Sequence, residues 1–154
     1  MQRKDLVPVH GGLAEPVDRV VALSERRRFL AEAEPLPRLR VSKADLSTLH
    51  RIADGTLSPL EGPMKRDAFY GVLDEQRISV GGKRYAWGIP HAFPATDEEA
   101  GRLAKGGSAA VCEETGAIVA ILDDLEVYAW DKPRYVERVY RTPRFGHPGG
   151  GMVE

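Results

Sequence analysis

Four histidines, one cysteine and a few carboxylate clusters are the side chains through which this chain could do chemistry. Their spacing argues against most of it. His10, His50, His91 and His147 are scattered, with none paired at i+3 or i+4. Together with the single Cys112 they form no zinc-ligand pattern. The chain has no glycine-rich loop ending in Gly-Lys-Ser or Gly-Lys-Thr, no G-x-G-x-x-G after a strand and no H-E-x-x-H. Asp97-Glu98-Glu99 opens a predicted helix, where negative charge complements the helix dipole, and Asp123-Asp124 marks a bend between strands. Cys112 lies in an apolar strand pattern with no basic neighbour in sequence, which predicts a buried, inert thiol rather than a nucleophile. No catalytic residue, cofactor or metal site is predicted. The arginines Arg26, Arg27 and Arg28, with Arg38 and Arg40, are the candidate contact for an anion or RNA. Glu25, Glu32 and Glu34 beside them favour a solvated, ion-paired helix face instead. His10 reads either as a turn or capping residue or as a contact to a neighbouring domain. Trp87 and Trp130 read as packing residues rather than a platform for bases.

The elements that must position these groups are short. Leu6-Val7 and Leu13 bracket His10-Gly11-Gly12, which predicts a tight turn between two extended pieces. Asp18 to Ala33 is predicted helical, with Val20, Leu23, Arg27 and Leu30 on one face, and Pro35 and Pro37 ending it. Leu36 to Val41 is an extended lead-in. Ser42 to Ala53 carries the clearest helix signals: Ser42 as cap, Asp45 three residues on, and Val41 with Leu46 as a hydrophobic staple. Gly55 stops it. A third helix is predicted over Lys65 to Gln76, with Phe69, Val72 and Leu73 facing inward. Gly81-Gly82 then joins two strands as a hairpin between Arg77 and Trp87. Thr96 and Glu99 form a capping box for a helix to Lys105, closed by Gly106-Gly107. Ser108 to Cys112 and Ala117 to Leu122 read as strands, with Leu125 to Trp130 extending the sheet. Asp131 caps a last helix carrying Tyr135, Val136, Val139 and Tyr140.

Between the second and third helices lies Gly55-Thr56-Leu57-Ser58-Pro59-Leu60-Glu61-Gly62-Pro63-Met64. Its Gly and Pro residues constrain the backbone while Leu57, Leu60 and Met64 require something to pack against, so it is not a plain solvent loop. Short helices mixed with short strands imply an α+β domain built on a small bent sheet or pseudo-barrel. The 154 residues carry 42% hydrophobic and 29% charged side chains and a net charge of -1. These values fit one ordinary globular domain and give no bulk attraction to nucleic acid or membrane. No apolar run approaches the ~20 residues of a membrane span, and the first residues lack the apolar core of a signal peptide. One cysteine fits a reducing compartment, so a cytoplasmic location is expected. Residues 1–148 are expected as the domain and 149–154 as a flexible Gly-rich tail.

Two stretches in this order resemble the N-terminal, PUA-like domain of ATP sulfurylase (sulfate adenylyltransferase). Pro8-Val9-His10-Gly11-Gly12-Leu13 is similar to that family's P-H-G-G-x-L, and Gly55 to Met64 to its G-x-F-S-P-L-x-G-F-M. Leu36-Pro37-Arg38-Leu39, Trp87-Gly88-Ile89-Pro90 and Gly146-His147-Pro148-Gly149 continue the likeness. Leu57 and Pro63 stand where the family has aromatics, and Gly88 where it has a proline. The resemblance marks His10, Gly11, Gly12, Leu57, Ser58, Pro59, Leu60, Gly62 and Met64 as family-signature residues and candidate domain-interface residues. It implies a PUA-like fold and a role beside a nucleotidyltransferase domain that joins sulfate to the AMP portion of ATP. The Q-x-R-N-P-x-H-x-x-H and G-R-D-H-A-G segments of that catalytic domain are absent here. Three readings follow. The chain is a domain that assists a sulfate adenylyltransferase catalytic domain in trans, which exposed apolar surface around Leu57, Leu60 and Met64 would favour. It is a free-standing module for RNA or a small ligand, which a clustered face of the five arginines would favour. Or it is an enzyme of unrecognised chemistry, which needs a pocket gathering distant His and carboxylates.

Overall fold

The computed structural model describes residues 7–105, 107–144, 146–151 and 153. Leu6, Gly106, Phe145 and Met152, which entered the sequence expectations, lie outside them. The sheet is built on β4 (Ser108–Cys112), with β1 (Arg38–Arg40) on one side and β5 (Ile118–Asp123) on the other. β4 reads Ser-Ala-Ala-Val-Cys because it is the central strand. Ala109, Ala110 and Val111 have no solvent exposure, and a strand covered on both faces loses the alternation of polar residues. β5 runs antiparallel to β4, with an irregularity in register between Val111 and Cys112. β1 runs parallel to β4, pairing Leu39 with Val111. A second, separate sheet is the hairpin of β2 (Arg77–Val80) and β3 (Lys83–Ala86), turned by Gly81-Gly82. The two sheets do not close into a barrel. The architecture is α+β.

Helices cover these sheets. Ser42 caps α2 (Lys43–Ala53) by accepting from the Asp45 amide. Its Leu49 enters a core cluster with Leu39, Val41, Leu103, Val111 and Leu122, while Ile52, one turn on, enters a second. That second cluster joins Ile52, Leu60, Met64, Phe69, Leu73 and Ile78. The helix α2 therefore stitches the sheet half to the hairpin half. α3 (Arg66–Glu75) packs Phe69, Val72 and Leu73 into the second cluster, and Gln76 ends it in a left-handed conformation (φ 53°). α5 (Lys132–Tyr140) starts at the Asp131 cap and buries Val136.

The capping box of α4 (Asp97–Leu103) forms as expected, and it reaches further than its own helix. Glu99 accepts from the Thr96 amide at 3.0 Å and, through its other oxygen, from the Arg40 amide of β1 at 3.1 Å. One carboxylate thus caps a helix and ties down the outer strand. Burial disfavours its charged form, but the two amides and the Thr96 hydroxyl outweigh this and hold its pKa below the ordinary 4.5. Glu99→Ala is expected to cost about 1–2 kcal/mol, the range for a lost cap. Urea unfolding would read the loss, and an unchanged midpoint would contradict the double role.

Three elements depart from expectation. Helix α1 covers only Arg26–Ala33 and buries only Ala33. Residues 18–25 are irregular: the Asp18 carboxylate captures the Val20 amide at 3.0 Å, and the Arg19 amide pairs with the Ala53 carbonyl at 2.8 Å. Local side-chain capture of this kind competes with helix. The supposed buried face is therefore in water, with Leu23 at 87% exposure, Val20 at 63% and Leu30 at 40%. Residues 125–130 join no sheet; Leu125 packs on the first cluster, and Tyr128 and Trp130 on the second. Finally, part of the stretch read as a tail is ordered on the body. α6 (Pro148–Gly151) packs on α5, Gly149 lies against the Tyr140 ring, and Val153 is buried.

Candidate functional site

The signature residues meet in one place. His10–Gly12 forms a 3-10 turn that packs against both strands of the β2–β3 hairpin. His10 Nε2 lies 2.8 Å from the Ala86 carbonyl, so that nitrogen carries the proton and donates to the outer strand of the hairpin. The ring sits 5.8 Å from Tyr85 and 5.7 Å from Trp87, centroid to centroid. Gly11 (φ 81°) presses on Pro59 so closely that a Cβ would stand 2.7 Å from its Cγ. A side chain at Gly12 would strike the Tyr85 hydroxyl. The Ser58–Pro59 peptide is cis. Ser58, the one buried polar residue among the described residues, donates to the Gly55 carbonyl at 2.6 Å and accepts from the Val17 amide at 2.9 Å. The His10-Gly11-Gly12 and Ser58-Pro59-Leu60 segments, 46 or more residues apart in sequence, are the two halves of one joint.

That joint answers the question about Leu57, Leu60 and Met64. Leu60 and Met64 are each 5% exposed, inside the second cluster, and Leu57 packs on its edge. Met64 is further held by backbone: its amide donates to the His91 carbonyl at 2.7 Å, and its carbonyl accepts from the Tyr128 hydroxyl at 2.8 Å. Burial, with Glu126 and Tyr70 adding, raises the Tyr128 pKa and keeps that hydroxyl a donor. The exposed apolar surface that would favour a partner role here is not found at Leu60 and Met64, which are spent on the chain's own core, while Leu57 is half-buried. Gly62 is half-buried at the edge of the same loop.

The arginines are not a single unpaired face. Arg28 pairs with Glu25 at 3.0 Å and Glu32 at 3.5 Å, and Arg38 with Glu34 at 3.1 Å. Arg26, Arg27 and Arg40 are exposed. Cys112 is 4% exposed at the end of β4. Among the described residues no group of three or more His, Cys, Asp or Glu is placed to hold a metal ion. A cleft of about 540 Å³ lies between α3 and α5. Among its lining groups, Arg134 bonds Asp74 at 2.7 Å, and the Tyr70 hydroxyl donates to the Ala129 carbonyl and accepts from the Asp131 amide. Trp130 Nε1 beside it is buried without an acceptor, its ring nearly perpendicular to that of Tyr135 at 5.3 Å.

What sequence reasoning missed is the aromatic collar of the joint. His91 stands edge-on to Trp87 at 6.1 Å, on the opposite side from His10 in the chain of contacts. Burial lowers its pKa below the usual 6.5. Its folded value being depressed, stability is constant above pH 6.5 and is lost as pH falls from 6.5 through the folded pKa, because the unfolded chain takes up the proton first. Thermal melts between pH 7.5 and 5 are expected to show this decline, and His91→Gln to flatten it. An unaltered slope in that variant would assign the decline to another group.

A family model described as a PUA-like domain matches residues 7–154. The chain belongs to the PUA-like domain family. Sulfate adenylyltransferases are its relatives: that of Pyropia yezoensis is 46% identical over 145 residues, which is 94% of this chain and 33% of that protein. Those of Synechococcus elongatus and Trichormus variabilis are 34% and 33% identical, over 94% and 96% of this chain and 35% and 36% of theirs. This PUA-like domain thus spans about a third of the length of the curated relatives it matches, and is homologous to their N-terminal part. No helix of the described residues is long and apolar enough to cross a membrane.

Proposed function

We propose that this PUA-like domain is an accessory and structural partner of a sulfate adenylyltransferase catalytic domain, acting in the activation of sulfate to adenylyl sulfate. The observation that carries the reading is the 46% identity to a sulfate adenylyltransferase along nearly the whole chain. The joint adds physical content to it, since the two segments that carry the family resemblance meet there, Gly11 against Pro59 and Gly12 against Tyr85. Contact with that catalytic domain uses surface other than Leu60 and Met64, which are buried.

The test is a titration of this chain against a matched sulfate adenylyltransferase catalytic domain. Complex formation and adenylyl sulfate production are read together. Saturable binding with raised activity or raised thermal stability of the catalytic domain is the expected result. A folded chain that neither binds nor changes either property would overturn the reading. The RNA alternative is not carried forward, because Arg28 and Arg38 are already paired with acids.

A further inference from the structure

The N-terminal arm, residues 7–19, is held on the body as a ligand would be. Neither core cluster contains a residue from 7–25. Its attachments are few and local. His10 bonds the Ala86 carbonyl, and Gly11 and Gly12 sit against Pro59 and Tyr85. The Val17 amide bonds Ser58 Oγ, and Arg19 bonds the Ala53 carbonyl through its amide and Glu61 through its guanidinium. Most arm side chains are exposed, Val7 at 90%. A segment with little buried apolar area and a handful of bonds opens at lower free energy than the core it rests on.

The link from the arm to α1 is the second observation. Within it, a turn at residues 22–25 is closed by the Glu25 amide on the Ala22 carbonyl at 2.9 Å and by the weaker 3.4 Å bond from Arg26 to Leu23. The link holds the two large apolar side chains most exposed after Val7 among the described residues, Leu23 in the turn and Val20 just before it. In the monomer they contact nothing that removes them from water. If the turn straightens, the arm leaves its own dock and can occupy the identical dock of a second copy. Two copies exchanging arms reproduce every arm contact twice, and their straightened links run side by side. The new contact between those links is where Val20 and Leu23 would be buried.

We propose that the dock at Ser58-Pro59, Tyr85 and Ala86 is a site for the turned His10-Gly11-Gly12 segment, whose partner in trans is a second copy of this chain, giving an arm-exchanged dimer. The own arm competes at an effective concentration on the order of 1 mM for a short tether, so the unaltered chain is a monomer at micromolar concentration. The test variant is the full chain with Ser24→Pro and Glu25→Pro. Proline at 25 removes the amide that closes the turn and biases residue 24 to extended backbone.

Light scattering is expected to find a dimer at micromolar concentration, with the Val17 and Arg19 amides still protected from hydrogen exchange. A monomer throughout, or a dimer in which those amides are unprotected, would overturn the proposal. Adding Leu23→Asp is expected to loosen the dimer at least tenfold without changing the melting of the unaltered monomer; a dimer indifferent to it contradicts the link contact. Should the proline variant fail to fold, unaltered chains carrying two different isotope labels are unfolded together and refolded at about 1 mM. Contacts between the His10 ring of one label and the Trp87 ring of the other support exchange. Contacts confined to one label refute it.

Discussion

Phe69→Ala is expected to cost the domain about 3–5 kcal/mol, the range for truncating a buried aromatic. Phe69 is 3% exposed in the first turns of α3. It meets Tyr70 at 5.4 Å, Tyr128 at 5.8 Å and Tyr135 at 6.1 Å. One side chain therefore joins a helix, the irregular segment 125–130 and α5. Removing it leaves a cavity whose walls are tyrosines anchored elsewhere: Tyr70 by its two hydroxyl bonds and Tyr128 by Met64. Walls so held cannot collapse to fill the space, which places the cost toward the upper part of the range. Urea denaturation measures it. Leu23→Ala is the control, an apolar truncation at 87% exposure expected to stay within about 0.5 kcal/mol. Similar losses for the two would mean that Phe69 is not the centre of the second cluster.

Gly55→Ala is expected to cost about 2–3 kcal/mol. Alanine at φ 81° pays roughly 1–2 kcal/mol for the left-handed backbone. Its Cβ would also collide with the Val17 carbonyl, and it would stand 2.9 Å from Pro16 Cβ. The first obstacle is main chain, which no rotamer change relieves, so the arm must move. The variant should therefore melt several degrees lower, about 2–4 °C for each kcal/mol in a chain of this size. It should also lose hydrogen-exchange protection at Val17 and Arg19 while β4 amides stay protected. A variant destabilised without arm release would mean that the arm is not a separable layer.

Much of the local structure was legible because its causes are local. Thr96 with Glu99, Ser42 with Asp45 and the Gly81-Gly82 turn each satisfy their own backbone within four residues, and all three form as the residue types demand. The same reasoning failed where a distant partner outbid it. Val20, Leu23 and Leu30 have helical spacing, but Arg19 is drawn to Ala53 and Asp18 turns the chain before a helix can start there. Leu125 to Trp130 has strand-like residues, but its aromatics fill the second cluster instead of pairing on the open edge of β5. The parallel pairing of Arg38–Arg40 with β4 joins residues some seventy apart, a contact that short-range pattern does not encode. At the candidate site the residues were found and their roles were not. Their types announced a turn and a constrained loop, while only the tertiary contacts reveal that Pro59 is the surface on which Gly11 rests.

Glu99 has a consequence for how copies of this domain behave in crowded solution. β1 is an outermost strand, and an outermost strand offers amides on which a foreign strand can template itself. The Glu99 carboxylate occupies the Arg40 amide and sets a negative charge in the path of any incoming backbone. A carboxylate in that place disfavours edge-to-edge pairing as well as bracing the strand. Its depressed pKa keeps that charge in place on the folded chain below the ordinary 4.5, while the stability it contributes is lost as pH falls from 4.5 through the folded value.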